Sequence, residues 1–179
     1  MLAIVMTKIF TTLAVLVLSA VCWLFLTSCQ VPPSPPPTAN GSTVPISYAV
    51  FAWKDSQDFK RISEYFTDRE NSGCSCVLRT DPEIREGLYF VLGLEVGEKI
   101  SAGSKATLRY FRPDKVGEQT AEFVLPEFTS TVSGEILLGL TGNAWPAAKK
   151  KARPSAWQIS VTAPDGKLLV YRQSYLWAL

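Results

Sequence analysis

The chain has 179 residues, 47% of them hydrophobic and 19% charged, with a formal net charge of +2 and no histidine. A balance this close to neutral argues against nucleic acid as the main partner. The missing imidazole excludes Ser-His-Asp and Cys-His nucleophilic catalysis, the common zinc sites and a histidine pH switch.

In chain order, the first feature is an apolar run over 9–26, interrupted only by Thr11, Thr12 and Ser19 and preceded by the single charge of Lys8. This is the pattern of an export signal. A run of this length also suffices for an uncleaved membrane helix, which takes ~17–25 apolar residues. Met6 offers an alternative start to Met1, giving a more compact charged leader. The run closes on Leu26-Thr27-Ser28-Cys29, followed by Gln30-Val31 and a proline tract.

That tetrapeptide resembles the lipobox of bacterial lipoproteins. The resemblance implies a thiol at Cys29 that accepts a diacylglyceryl group, small residues before it that suit the signal peptidase, and an aliphatic residue three places upstream. It further implies a signal peptide over 1–28, cleavage before Cys29, and acyl anchoring of the mature chain to a membrane of the bacterial cell envelope, facing the periplasm or the exterior. Each acyl methylene contributes ~0.8 kcal/mol of anchoring. Gln30 lacks the aspartate that disfavours outward transport in enterobacterial lipoproteins, and the choice between inner and outer membrane stays open.

Residues 29–44 form the lipidated cysteine and its tether. The stretch 30–43 (QVPPSPPPTANGST) holds five prolines and no charge. Proline fixes φ and removes amide donors, so the segment is an extended spacer of ~3.1 Å per residue, reaching on the order of 40 Å. Asn40-Gly41-Ser42 matches a glycosylation sequon, a pattern without consequence in a bacterial envelope.

Residues 45–179 suffice for one domain. A first strand is expected at 46–53 (ISYAVFAW). Asp55 or Ser56 then caps a helix with Phe59, Ile62 and Phe66 on its inner side and Lys60, Arg61, Glu64 and Asp68 outside, ending near Asn71-Ser72-Gly73. Strands are expected at 74–80, 87–96, 105–112, 119–125, 135–140, 156–163 and 167–177, the last two joined through Pro164-Asp165-Gly166 as a hairpin. The pattern predicts a mainly β fold, an antiparallel immunoglobulin-like β-sandwich with one N-terminal helix covering an edge or an end of a sheet. The likeness is one of architecture, because the Cys…Trp…Cys pattern of antibody domains is absent and Trp157 alone does not replace it.

Few constellations carry chemistry. Cys74 and Cys76, two apart on a strand, lie ~6.6 Å apart at Cα, near the limit for a disulfide. They form either a structural pair, bridged or buried, or a strained and easily reduced bridge suited to thiol exchange. Two thiolates alone do not make a metal site. Glu64 and Asp68 share a helix face and Asp81, Glu83 and Glu86 share a turn; Arg69, Arg79 and Arg85 are placed to pair with them as a solvated charge network. Lys149-Lys150-Lys151-Ala152-Arg153 follows Trp145-Pro146. It is either a solvated loop with Trp145 folded back on the domain, or a contact for anionic lipid or acidic wall polymer with Trp145 as a stacking surface. Trp53, Trp157 and Trp177 fall within strands and suit core or rim packing. Gly139-Leu140-Thr141-Gly142 lacks the lysine and setting of a phosphate loop, and no cofactor motif is present.

The expectation is a lipid-anchored, non-enzymatic binding or structural module whose partner is an envelope protein or a cell-wall glycan. The alternative is a thiol redox protein using Cys74 and Cys76.

Overall fold

The computed structural model describes residues 44–178 apart from Asp68 and Ser133; Cys29, the leader and the tether up to Thr43 lie outside the described residues. Among the described residues ten strands are formed: β1 (Ile46–Lys54), β2 (Cys76–Arg79), β3 (Gly87–Leu94), β4 (Lys99–Ile100), β5 (Ser104–Phe111), β6 (Glu118–Leu125), β7 (Phe128–Thr129), β8 (Ile136–Thr141), β9 (Trp157–Thr162) and β10 (Leu168–Gln173). They build a first sheet in the order β1-β3-β8-β2, a second in the order β10-β9-β5-β6, and a small β4-β7 ribbon. The mainly β character matches the sequence expectation.

The facing sides of the two sheets share one core. Leu88, Phe90, Leu92, Leu138 and Leu140 of the first sheet meet Ala106, Leu108, Tyr110, Phe123, Leu125, Ile159 and Val161 of the second. Trp157 packs edge-on against Phe90 at 4.9 Å and Phe51 at 6.0 Å between ring centroids. Strands β5 and β6 alternate buried and exposed residues, as a sheet wetted on one side should. Strands β3 and β8 are buried at every position, because the first sheet is covered on its outer side as well. There Phe59, Tyr89, Val91 and Leu137 form a second, smaller cluster. Tyr89 lies across Gly139, its partner on β8, and a Cβ on that glycine would come within 2.5 Å of the ring. Glycine at this position lets the tyrosine lie flat on the sheet.

Three sequence expectations are corrected. The first sheet is not wholly antiparallel: β2 runs parallel to β8, with Cys76 opposite Ile136 and Arg79 opposite Gly139. β8 sits between β2 and its chain neighbour β3, so the connection between those two strands is no hairpin. The expected helix is broken into a 3-10 turn at Ser56–Phe59 and one α-helical turn, α1, at Glu64–Thr67. Lys60, with extended backbone at φ −74° and ψ 121°, separates them. Burial of Phe59 against Tyr89, rings 5.0 Å apart, fixes the first piece on the outer face of the first sheet, so the segment covers a face and not an edge. Finally, the terminal strand stops at Gln173, and Tyr175–Trp177 forms a 3-10 turn. There Trp177 packs on Phe111 at 5.4 Å and lies under the Arg109 guanidinium at 5.0 Å.

Candidate binding surface

The covering segment is held by charge. The Arg79 side chain, 8% exposed, donates from Nε to the Tyr89 hydroxyl at 2.7 Å and from its two terminal nitrogens to Glu70 at 2.8 and 2.5 Å. Its guanidinium lies 4.8 Å above the Phe59 ring. The Tyr89 hydroxyl donates to the Arg85 carbonyl at 2.7 Å, and burial raises its pKa against the pull of Arg79. Arg85 donates to Glu64 at 2.8 Å, which holds that carboxyl below its ordinary range. Asn71 adds a side-chain bond to Ser63 at 3.1 Å, and Arg61 reaches the Ser72 carbonyl at 3.4 Å.

These bonds turn α1 over. The polar Ser63 and Glu64 face the domain, while Ile62, Tyr65 and Phe66 are 78, 79 and 84% exposed. Ile62 and Phe66, expected inside, are thus turned out and Glu64, expected outside, is turned in, whereas Phe59 is buried and Lys60 and Arg61 are exposed as expected. The spacing of Ile62 and Phe66 was visible in the sequence, but Tyr65 was missed, and the arginines that bind the opposite side lie elsewhere in the chain.

The expected charge pairs form only in part. Arg79 and Arg85 bind Glu70 and Glu64, whereas none of the ion pairs among the described residues involves Asp81, Glu83, Glu86 or Arg69, and Asp68 lies outside the described residues. Asp81 instead accepts the Glu83 amide at 3.2 Å, and its own amide donates to the Thr141 hydroxyl at 2.9 Å.

The cysteines diverge. β2 begins only at Cys76, and Ser75 closes a turn on Ser72, so Cys74 is not on a strand. Cys74 is exposed and Cys76 buried, both as free thiols. Burial pushes the Cys76 thiol up to about 11. Both line a shallow depression of ≈ 440 Å³ between residues 72–78 and 126–131.

Trp145 is 1% exposed, with its indole N–H donating to the Lys149 carbonyl at 3.1 Å and the Arg112 guanidinium 5.5 Å from its ring. It is therefore buried and presents no stacking surface. In the basic run, Lys150 binds both carboxylate oxygens of Asp55 at 2.8 Å, and Arg153 donates to the carbonyls of Lys150 and Ala152 at 3.1 and 2.9 Å. Lys149 and Lys151 point to solvent. The Lys150–Asp55 pair joins this run to the start of the covering segment, where Asp55 caps the 3-10 turn.

Among the described residues no cluster of three or more acidic or thiol side chains is placed to hold a metal ion, and no helix is long and apolar enough to cross a membrane. No family model matches the chain, and no curated protein matches it.

Proposed function

We propose that this is a lipid-anchored protein of the bacterial cell envelope, cut before Cys29 and acylated there, with residues 45–179 as a non-enzymatic binding or structural module. The observation that carries this is Leu26-Thr27-Ser28-Cys29 at the end of an apolar leader, followed by an uncharged proline spacer. The domain is read as an immunoglobulin-like sandwich, supported by two four-stranded sheets around one core and by Trp157 between them, with the parallel β2–β8 pair as its departure. Its partner is an envelope protein or a wall glycan, and the exposed side of α1 is the surface best suited to it. Mass spectrometry of the chain recovered from membranes tests the anchor. A new amino terminus at Cys29 carrying a fatty adduct is expected, and an intact Met1 or Met6 terminus without adduct would falsify it.

The second reading, thiol exchange through Cys74 and Cys76, draws on the exposure of Cys74 beside an open depression. Against it stands the Cys76 thiol at about 11, which leaves on the order of one thiolate in ten thousand at neutral pH. Alkylation at pH 7 should modify Cys74 within minutes and Cys76 only in denaturant. Equal rates, or a redox-active disulfide that exchanges with small thiols, would favour the thiol reading.

A further inference from the structure

Under the covering segment, against the outer side of the first sheet, lies a pocket of ≈ 150 Å³. Phe59, Val77 and Leu137 give it an apolar floor that continues the second, smaller cluster. Four charged residues also line it: Lys54 at the end of β1, Asp58 in the 3-10 turn, Arg61 after that turn, and Glu135 just before β8.

Two of these are cations and two are acids, yet none of the four takes part in an ion pair among the described residues. Other bonds hold three of them in place. One oxygen of the Asp58 carboxylate accepts the Asp55 amide at 2.7 Å, and one oxygen of Glu135 accepts the Tyr48 hydroxyl. Each carboxylate keeps a second oxygen that accepts no hydrogen bond among the described residues. The Arg61 guanidinium reaches the Ser72 carbonyl at 3.4 Å and lies against Gly73, where a Cβ would come within 2.7 Å of it. The neighbouring Asp55, Glu70 and Arg79 are already consumed, by Lys150 and by one another.

A pocket built this way selects by charge. A neutral occupant would take water from the four charges and return little, and an occupant of one sign would meet two charges of its own sign. An occupant carrying both signs meets neither cost. The volume suits a molecule of about benzene's size, and alanine is of that size. We infer that the pocket takes a small α-amino acid as its zwitterion, the ammonium toward Asp58 and Glu135, the carboxylate toward Lys54 and Arg61, and a short apolar side chain on Phe59, Val77 and Leu137. The site is distinct from the exposed side of α1 and independent of the anchoring at Cys29.

The test follows amide NMR shifts of the full chain in detergent micelles titrated with alanine, propionate or ethylamine. Propionate lacks the ammonium and ethylamine lacks the carboxylate. Alanine is expected to shift the amides of Ser72, Ser75 and Leu137 saturably, with a Kd on the order of 1 mM. Propionate and ethylamine should each bind about tenfold more weakly or worse. The double variants Lys54→Gln, Arg61→Gln and Asp58→Asn, Glu135→Gln should each lose about tenfold or more for alanine, with the β3 amide shifts verifying the fold. No saturable shift below about 50 mM alanine overturns the site. Propionate or ethylamine binding as tightly as alanine overturns the zwitterion, and unchanged affinity in either double variant removes the charges from the binding. The comparison of the three probes uses the unaltered chain, so it decides the inference even where a variant fails to fold.

Discussion

The two sheets present their outer faces to different surroundings, and the difference is written in their strands. Strands β3 and β8 are buried throughout, and their sequences are nearly unbroken apolar runs. Strand β5 places Lys105, Thr107, Arg109 and Phe111 outward in strict alternation with Ser104, Ala106, Leu108 and Tyr110. A sheet covered on both sides needs apolar residues at every position, whereas one wetted on a single side needs them at every second. At β3 and β8 the outer face of the first sheet is therefore an interior surface, whereas β1 at its edge leaves Tyr48 and Val50 exposed. It is closed by a segment with little helix of its own, fastened through Arg79 and Arg85. The outer face of the second sheet carries solvated pairs such as Lys105–Glu122, whose side chains are 50 and 53% exposed.

The largest effect should come from the core that both sheets share. Phe90 is fully buried against Phe51 and Trp157, so Phe90→Ala should lower unfolding free energy by about 3–5 kcal/mol in urea titrations. A loss under about 1 kcal/mol would mean that the sheets do not meet there. The next effect separates the two outer faces. Arg79→Ala takes the donor from the Tyr89 hydroxyl, leaves Glu70 with only Arg85 at 3.5 Å and removes the cation over Phe59, and should cost about 2–3 kcal/mol. Lys105→Ala, an ion pair on the open sheet, should cost less than about 1 kcal/mol. Equal losses would dissolve the distinction between a covered face and a wet one.

The same contrast explains what was legible in the sequence. Alternation located β3 and β5, and the Pro164-Asp165-Gly166 turn located the β9–β10 hairpin, because period and turn chemistry are local. The parallel pairing of β2 with β8 joins residues sixty apart, such as Arg79 and Gly139, and no local pattern encodes it. The β4–β7 ribbon has two residues per strand, too short for any period. At the binding surface, the apolar residues of α1 were visible but not their direction. Which side of α1 faces inward is decided by Arg85, whose bond to Glu64 spans 21 residues, and by Arg79 acting through Glu70. Of the basic run, the charges were visible; that Lys150 is consumed by Asp55 and that Trp145 is buried depend on tertiary contacts.

Strong acid should loosen the fastening of the covered face. The hydrogen bond from Arg85 depresses the Glu64 carboxyl, so its stabilising contribution is present above the ordinary glutamate value near ~4.3 and is lost as pH falls through the lower value of the folded chain. Asp55, held low by Lys150, behaves in the same sense. The Asn71 amide, which donates to Glu64, reports the step. Its NMR shift should titrate with a midpoint below that of an ordinary glutamate, and Glu64→Gln should abolish the titration. A midpoint at or above the ordinary value would detach Glu64 from Arg85 and leave the orientation of α1 without its cause.

The smallest expected effect on stability falls on the exposed apolar residues at α1. Ile62→Ser and Phe66→Ser remove side chains that are 78 and 84% in water, and each should change unfolding free energy by no more than about 0.5 kcal/mol. The same substitutions in a packed helix would cost several times more, as Phe90→Ala is expected to. A loss of about 2 kcal/mol or more at either position would place these side chains inside the domain, with the apolar side of α1 turned to the sheet. A near-zero change means that a phenylalanine and an isoleucine occupy exposed positions to which folding is indifferent. Contact with something outside the domain is then the remaining physical reason for an apolar side held outward by two arginines.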